Sequence, residues 1–200
     1  MIIVYGGSFN PPSLAHLQLA QRVLQEPQGE KIIFLPVGND YNKPELIDCH
    51  HRIAMLELIL ATEKRMFVSA LECQDENFKG SYFSLLALQK IYAQREIAFL
   101  LGADHLPGLP FWIEGERLLT DFKIWAMPRP GYPLREILRQ QPLLDKYKEN
   151  IRFLPDYPLL NISSTAIRQA LKENKEEVFG LDDKIHEYIK QHGLYRGEME

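Results

Sequence analysis

Cysteine is scarce in this 200-residue chain: Cys49 and Cys73 are its only two. Two thiols cannot build a disulfide framework or a four-thiolate zinc site. No apolar stretch approaches the length of a membrane span, so no membrane partner is expected. Residues 1–7 carry no basic leader and only a short apolar run at 2–5, which excludes a secretory signal and makes the cytoplasm the expected location. An excess of positive charge is missing too, since 23 Lys and Arg face 27 Asp and Glu for a net charge of −4. Proteins that hold DNA or RNA through phosphates carry a basic stripe, so no nucleic-acid partner is expected. Any anionic ligand must be held locally, by helix ends and a few placed cations. Repeats, low-complexity tracts and long linkers are also lacking, which predicts one domain over residues 1–200.

What is present is an alternation. Short apolar, partly β-branched runs recur at residues 2–5, 32–35, 66–68, 97–101, 124–127 and 151–154. Several are apolar throughout, as strands buried on both faces must be. Between them, Leu14, Leu17, Ala20 and Leu24 share one helical face, and Ile53, Leu56 and Leu60 form another stripe within 48–62. Strand and helix in alternation predict an α/β fold, a doubly wound and mainly parallel sheet with flanking helices. Residues 166–172 and 182–191 predict helices within a C-terminal helical segment at about 163–195, with Gly193 as a cap. Such sheets bind ligands beyond the carboxyl ends of their strands, so the loops there are where chemistry is expected.

The first of these loops passes through Gly6-Gly7-Ser8-Phe9-Asn10-Pro11-Pro12-Ser13 into a helix. The glycine pair suits a backbone that must approach a ligand closely, and the helix start offers free N–H groups to a phosphate. Ser13 and His16 share a face of its first turns. No acidic residue occurs in this helix before Glu26, where an anionic ligand would take the place of the usual carboxylates. The dinucleotide fingerprint G-x-G-x-x-G, the P-loop and the nucleophile elbow G-x-S-x-G all fail to match.

A second signal lies at Asn161-Ile162-Ser163-Ser164-Thr165-Ala166-Ile167-Arg168. Three N-cap residue types open a helical pattern, Arg168 stands one turn after Ser164, and no carboxylate intervenes between Asp156 and Glu173. Hydroxyls, free N–H groups and a guanidinium at one helix end make a polyphosphate clamp. The run Asp48-Cys49-His50-His51 carries metal-ligand types, but neighbours on a helix point apart and no second ligand group matches, so no metal site is expected. Trp125 reads as core, and His105, His186 and His192 as solvated side chains.

The two phosphate signals, in this order, resemble the HxGH nucleotidyltransferase superfamily, and more closely its nicotinate or nicotinamide mononucleotide adenylyltransferases. The likeness runs along nearly the whole chain, through Lys43-Pro44, Arg52-Ile53-Ala54-Met55-Leu56-Glu57, Gly80-Ser81-Tyr82, Leu101-Gly102-Ala103-Asp104, Leu109-Pro110-Phe111-Trp112, Arg129-Pro130-Gly131 and the ending Gly193-Leu194-Tyr195. It implies a Rossmann-like fold and transfer of AMP from ATP to a pyridine mononucleotide, with release of pyrophosphate. The implied catalytic residues are His16, Lys43 and Arg168. Nucleotide binding is implied for Gly6, Gly7, Ser8 and Phe9 through their backbone and for Ser13 and His16. Ser163, Ser164 and Arg168 are implied to hold the β- and γ-phosphates, Ile162 to belong to the nucleotide site, and Gly102 and Asp104 to meet the adenosine. Acceptor binding is implied for Ser8, Phe9, Lys43, Arg129, the Ser81-Tyr82 backbone and a stacking Trp112. His16, Lys43, Arg129 and Arg168 are the cations expected around the triphosphate. ATP is the implied co-substrate, and Mg²⁺ is expected through phosphates and water. A homo-oligomer is compatible with the pattern.

The chain departs from the bacterial motif at Ser13, Ala15 and Asn42, and at Phe83, Leu85 and Phe111 beside the expected pyridine pocket. Its 7–16 segment is closer to the eukaryotic form, in which a hydroxyl residue precedes the histidine. Ser13 can still donate one hydrogen bond. Two alternatives stay open at this point: a related adenylyl- or cytidylyltransferase acting on another phosphorylated acceptor, and a non-catalytic nucleotide-binding homologue.

Overall fold

The computed structural model describes residues 1–74, 79–93 and 95–196. Six strands form one sheet: β1 (Ile2–Gly7), β2 (Lys31–Pro36), β3 (Met66–Val68), β4 (Ile97–Gly102), β5 (Lys123–Met127) and β6 (Ile151–Phe153). Their order is β3-β2-β1-β4-β5-β6, and every neighbouring pair is parallel. The expected mainly parallel sheet is thus wholly parallel, and the expected Rossmann-like order is present.

Alternate side chains of the central strands β1, β2, β4 and β5 enter different cores, which is why those runs are apolar nearly throughout. Ile3, Tyr5, Ile32, Phe34, Ala98, Leu100 and Trp125 face one core. That core is closed by α1 (Leu14–Val23), α2 (Cys49–Leu60), α7 (Ser164–Lys172) and α8 (Asp183–His192). Ile2, Val4, Ile33, Leu35, Ile97, Phe99, Leu101 and Ile124 face the other. It is covered by α3 (Ser81–Ile91), α4 (Gly115–Asp121), α5 (Leu134–Gln140) and α6 (Pro142–Lys146). Trp125 is core, as expected, at 1% exposure.

The helices α1, α2, α7 and α8 lie where the periodicity places them, and Gly193 caps α8 at φ 63°. The helices on the second face carry weak signals: α3 is apolar on most sides, and α4, α5 and α6 have seven residues or fewer. None of the described helices is long and apolar enough to cross a membrane. After β1 the chain builds outward through β2 and β3, then returns to place β4 on the other side of β1. The loops after β1 and β4 therefore diverge to opposite faces and leave a crevice between them.

Candidate functional site

A cavity of about 660 Å³ opens in that crevice, a size that suits a small-molecule ligand. A second lobe of about 380 Å³ shares Tyr5, His16, Met127, Arg129 and Ser164 with it, so the two adjoin at these residues. Residues 6–9, Lys43, Ser81, Gly102, Trp112 and Arg168 line the first lobe. Ser13, Asp104, Ile162 and Ser163 line the second. Of the residues given a catalytic or binding role in the sequence, Tyr82 is the one that lines neither lobe. Its ring is buried and its hydroxyl donates to Asp121 at 2.8 Å, so only its backbone belongs to the site.

Ser13 is the N-cap of α1, with extended backbone, and its N–H donates to His16 Nδ1 at 3.0 Å. Its Oγ lies 2.7 Å from the same nitrogen. Because Nδ1 accepts from a backbone amide, the proton of the neutral ring sits on Nε2. Burial, then the positive charges of Arg129 and Lys43, push the imidazole pKa down from 6.5 to about 4. His16 is therefore a neutral N–H donor at physiological pH, which corrects the expectation of a cation. Ser13 lines the second lobe at 1% exposure with its hydroxyl turned to His16, so it positions that ring.

Lys43 arrives from the loop between β2 and α2 and donates to Ser8 Oγ at 2.8 Å. Burial and the nearby Arg168 and Arg52 lower its pKa. Arg52 is fully buried and was not singled out as a site residue in the sequence, where it appears as a charge within the apolar α2 pattern. It donates to the carbonyls of Ile47 (2.9 Å), Ser8 (3.0 Å) and Val37 (2.7 Å), tying the glycine loop to the loop that carries Lys43. Asn10 extends the tie: its Nδ2 donates to the Glu45 carbonyl at 2.8 Å, and its Oδ1 accepts from Tyr195 at 2.7 Å.

At the start of α7, Ser163 Oγ accepts from Ala166 N–H at 3.1 Å, an N-cap as expected. Ser164 Oγ donates to the Pro11 carbonyl at 2.9 Å, so its hydroxyl proton braces the neighbouring loop. The donors left for an anion at this helix end are the amides of Ser164 and Thr165, which precede the helix's own hydrogen-bond ladder. Thr165, the last of the three cap residues read in the sequence as part of a polyphosphate clamp, also lines the cavity. Arg168 donates from Nη1 to the Asn10 carbonyl at 2.9 Å and from Nε to Glu45 at 3.2 Å. The first turns of α1 and α7 contain no acid, as expected. The wider surroundings are not acid-free, however, because Glu45 reaches in from the β2–α2 loop to bond Arg168 and Lys172.

On the other wall, Gly80 holds φ +102° at the N-cap of α3, a conformation that favours glycine, and leaves the Ser81 and Tyr82 amides ahead of that helix's ladder. Trp112 packs edge-on between Phe99 (6.5 Å) and His105 (6.1 Å). His105, expected as a solvated side chain, lines the cavity. Phe111 also lines it, at 80% exposure, whereas Phe83 and Leu85 do not. A Cβ on Gly102 would lie 2.2 Å from Asp104 Oδ1. Asp104 stands 3.6 Å from Arg129 Nε at the border between the lobes. The crevice therefore presents amide, hydroxyl and cationic donors to a phosphorylated ligand, with an indole and Asp104 available for its ring systems and sugars.

The residues Asp48, Cys49 and His50 converge more than helical spacing suggests, with ligand atoms within 4.8 Å of one another. Asp48 is the N-cap of α2 and folds back over the first turn, where its Oδ1 accepts from His50 N–H at 2.8 Å and meets His50 Nδ1 at 2.8 Å. Cys49 is buried with its Sγ turned to the Cys73 carbonyl. The cluster is engaged in capping.

Residues 4–170 match the cytidylyltransferase-like family profile. A protein of Acholeplasma laidlawii named as a probable nicotinate-nucleotide adenylyltransferase is 34% identical over 197 residues, which cover 95% of this chain and all of that protein. One of Clostridium tetani with the same name is 30% identical, covering 96% of this chain and 98% of its own. Among solved structures, Plasmodium falciparum nicotinic acid mononucleotide adenylyltransferase in complex with NaAD superposes with a TM-score of 0.77 at 23% identity, over 97% of this chain and 96% of that one.

Proposed function

Because the chain belongs to the cytidylyltransferase-like family, and within it to the nicotinate-nucleotide adenylyltransferases, we propose that it transfers AMP from ATP to nicotinate mononucleotide. An oxygen of the acceptor phosphate attacks the α-phosphorus of ATP. The bond from that phosphorus to the bridging oxygen breaks, and pyrophosphate leaves with the electron pair. The products are deamido-NAD and pyrophosphate, within NAD biosynthesis. The observation that carries this reading is the junction of the two lobes, where His16, Arg129 and the start of α7 are shared between them. A reaction that joins two nucleotides through their phosphates needs its donors at that junction.

No protein nucleophile is required; catalysis here is positioning together with stabilisation of charge. His16 donates from Nε2 to a phosphate oxygen without the desolvation cost of a buried cation. Lys43 meets the acceptor phosphate, and Arg168 with the α7 amides meets the β- and γ-phosphates. Asp104 accepts from a ribose hydroxyl. Trp112 stacks on the pyridine ring, and the Ser81 and Tyr82 amides meet its carboxylate. The donor set of the junction is cationic and amide-rich, which fits Mg²⁺ carried by ATP phosphates and water in preference to a carboxylate cage. When bound with ATP there, Mg²⁺ would supply charge neutralisation of the triphosphate. The absence of a membrane-crossing helix among the described residues is compatible with action in the cytoplasm.

The test is pyrophosphate release from ATP with nicotinate or nicotinamide mononucleotide. The expected result is turnover with a higher kcat/KM for the nicotinate form, and a loss of about 10²–10³ in kcat for His16→Ala, the range for one donor aimed at developing charge. ATP binding without turnover on either acceptor would overturn the enzymatic reading.

A further inference from the structure

Glu45 occupies a place that the adenylyl-transfer reading does not use. It sits in the β2–α2 loop with φ 58°, a left-handed conformation uncommon for a residue other than glycine. Its carboxylate bonds Arg168 Nε at 3.2 Å and also Lys172 Nζ. Its carbonyl is held by Asn10 Nδ2 at 2.8 Å, so the backbone is anchored while the paired side chain is exposed. Two residues earlier, the same loop sends Lys43 to Ser8 in the cavity. One short loop therefore brings a cation to the crevice and lays an anion on the guanidinium beside it.

A carboxylate is the side-chain group nearest to a phosphate in charge and in the way it accepts from a guanidinium. Arg168 lines the cavity next to Ser164 and Thr165, where an anion would take its free donors. We propose that Glu45 is a built-in competitor for the triphosphate: its carboxylate holds the Nε side of Arg168, and the ATP phosphates compete with it for that guanidinium. This rests on the reading of ATP as the donor. The exchange favours ligands with enough negative charge to displace a carboxylate, and so selects a triphosphate over a monophosphate. It also gives Arg168 a partner when pyrophosphate departs, which assists release. The pair is solvent-accessible on the Glu45 side, so the effect is modest: about two- to fivefold, the range that exposed ion pairs supply.

The experiment compares the wild-type protein with Glu45→Gln and Glu45→Asn; asparagine tolerates the left-handed backbone better. KM for ATP is read from pyrophosphate release, and binding of inorganic tripolyphosphate from calorimetry. Both variants are expected to bind tripolyphosphate and ATP about two- to fivefold more tightly than wild type, with the advantage shrinking as salt is raised. Weaker or unchanged tripolyphosphate binding in the variants would overturn the competitor, because Glu45 would then merely orient Arg168. Tighter tripolyphosphate binding with no turnover in the wild type would keep the competitor and sink the adenylyl-transfer reading, so the two can fail separately.

Discussion

Arg52→Met is the substitution that tests most directly how the crevice is held together. Methionine keeps the apolar stem of the side chain and removes all its donors. The carbonyls of Ser8, Val37 and Ile47 then lose partners at 3.0, 2.7 and 2.9 Å, at a position with 0% exposure. A buried carbonyl left unpaired costs about 1–3 kcal/mol. Against this stands the relief of a desolvated guanidinium, whose pKa is lowered chiefly by burial. The net expectation is a loss of about 3–5 kcal/mol, comparable to breaking a buried ionic contact from one side. In a domain of this size that corresponds to a Tm decrease of roughly 6–20 °C. Urea unfolding followed by circular dichroism reads the stability, and the KM for ATP reads the loop geometry, which should loosen as Ser8 is released. Arg52→Lys should recover less than half of the loss, since one ammonium group cannot serve carbonyls in three directions. An Arg52→Met protein within about 1 kcal/mol of wild type and with unchanged KM would refute the reasoning, because water would then have replaced the three bonds at no cost.

Two further outcomes follow from the site. His16, held down to about 4 by burial and then by Arg129 and Lys43, should stay neutral from pH 7 to pH 5 in an NMR titration, with its proton on Nε2. Because the folded pKa lies below the unfolded value near 6.5, the unfolded chain binds the proton first as pH falls. The contribution of His16 to stability is complete above pH 6.5 and is lost between there and about 4, so a midpoint near 6.5 in the folded protein would contradict the geometry. Gly102→Ala places a Cβ 2.2 Å from Asp104 Oδ1, an atom at the end of a side chain that can swing away. Thermal stability should change by under about 1 kcal/mol while KM for ATP rises up to about tenfold, the worth of one hydrogen bond to a ribose. An unchanged KM would remove Asp104 from the nucleotide-binding set.

The elements of this fold are legible in the chain because their signals are local. Six apolar runs became six strands, the central ones uninterrupted because burial on both faces disfavours polar residues, while the short β6 admits Arg152. The stripes of α1, α2, α7 and α8 were readable for the same reason, whereas α4, α5 and α6 are too short to complete a periodic pattern. The two loops expected to meet phosphate were legible as glycine, cap residues and missing acid, and nearly every residue singled out there lines the crevice. Tertiary structure decided the chemical state of those residues. Whether His16 is a cation or a neutral donor depends on its burial and on Ser13 facing its Nδ1. Whether Arg168 stands free depends on Glu45, 123 positions away, and on the Asn10 carbonyl, 158 positions away. A residue type and its spacing specify which group is available. The His16 tautomer is set locally by Ser13, but charge and partners are set by neighbours that only the closed chain brings near, where desolvation and Coulomb interactions become strong enough to choose between states.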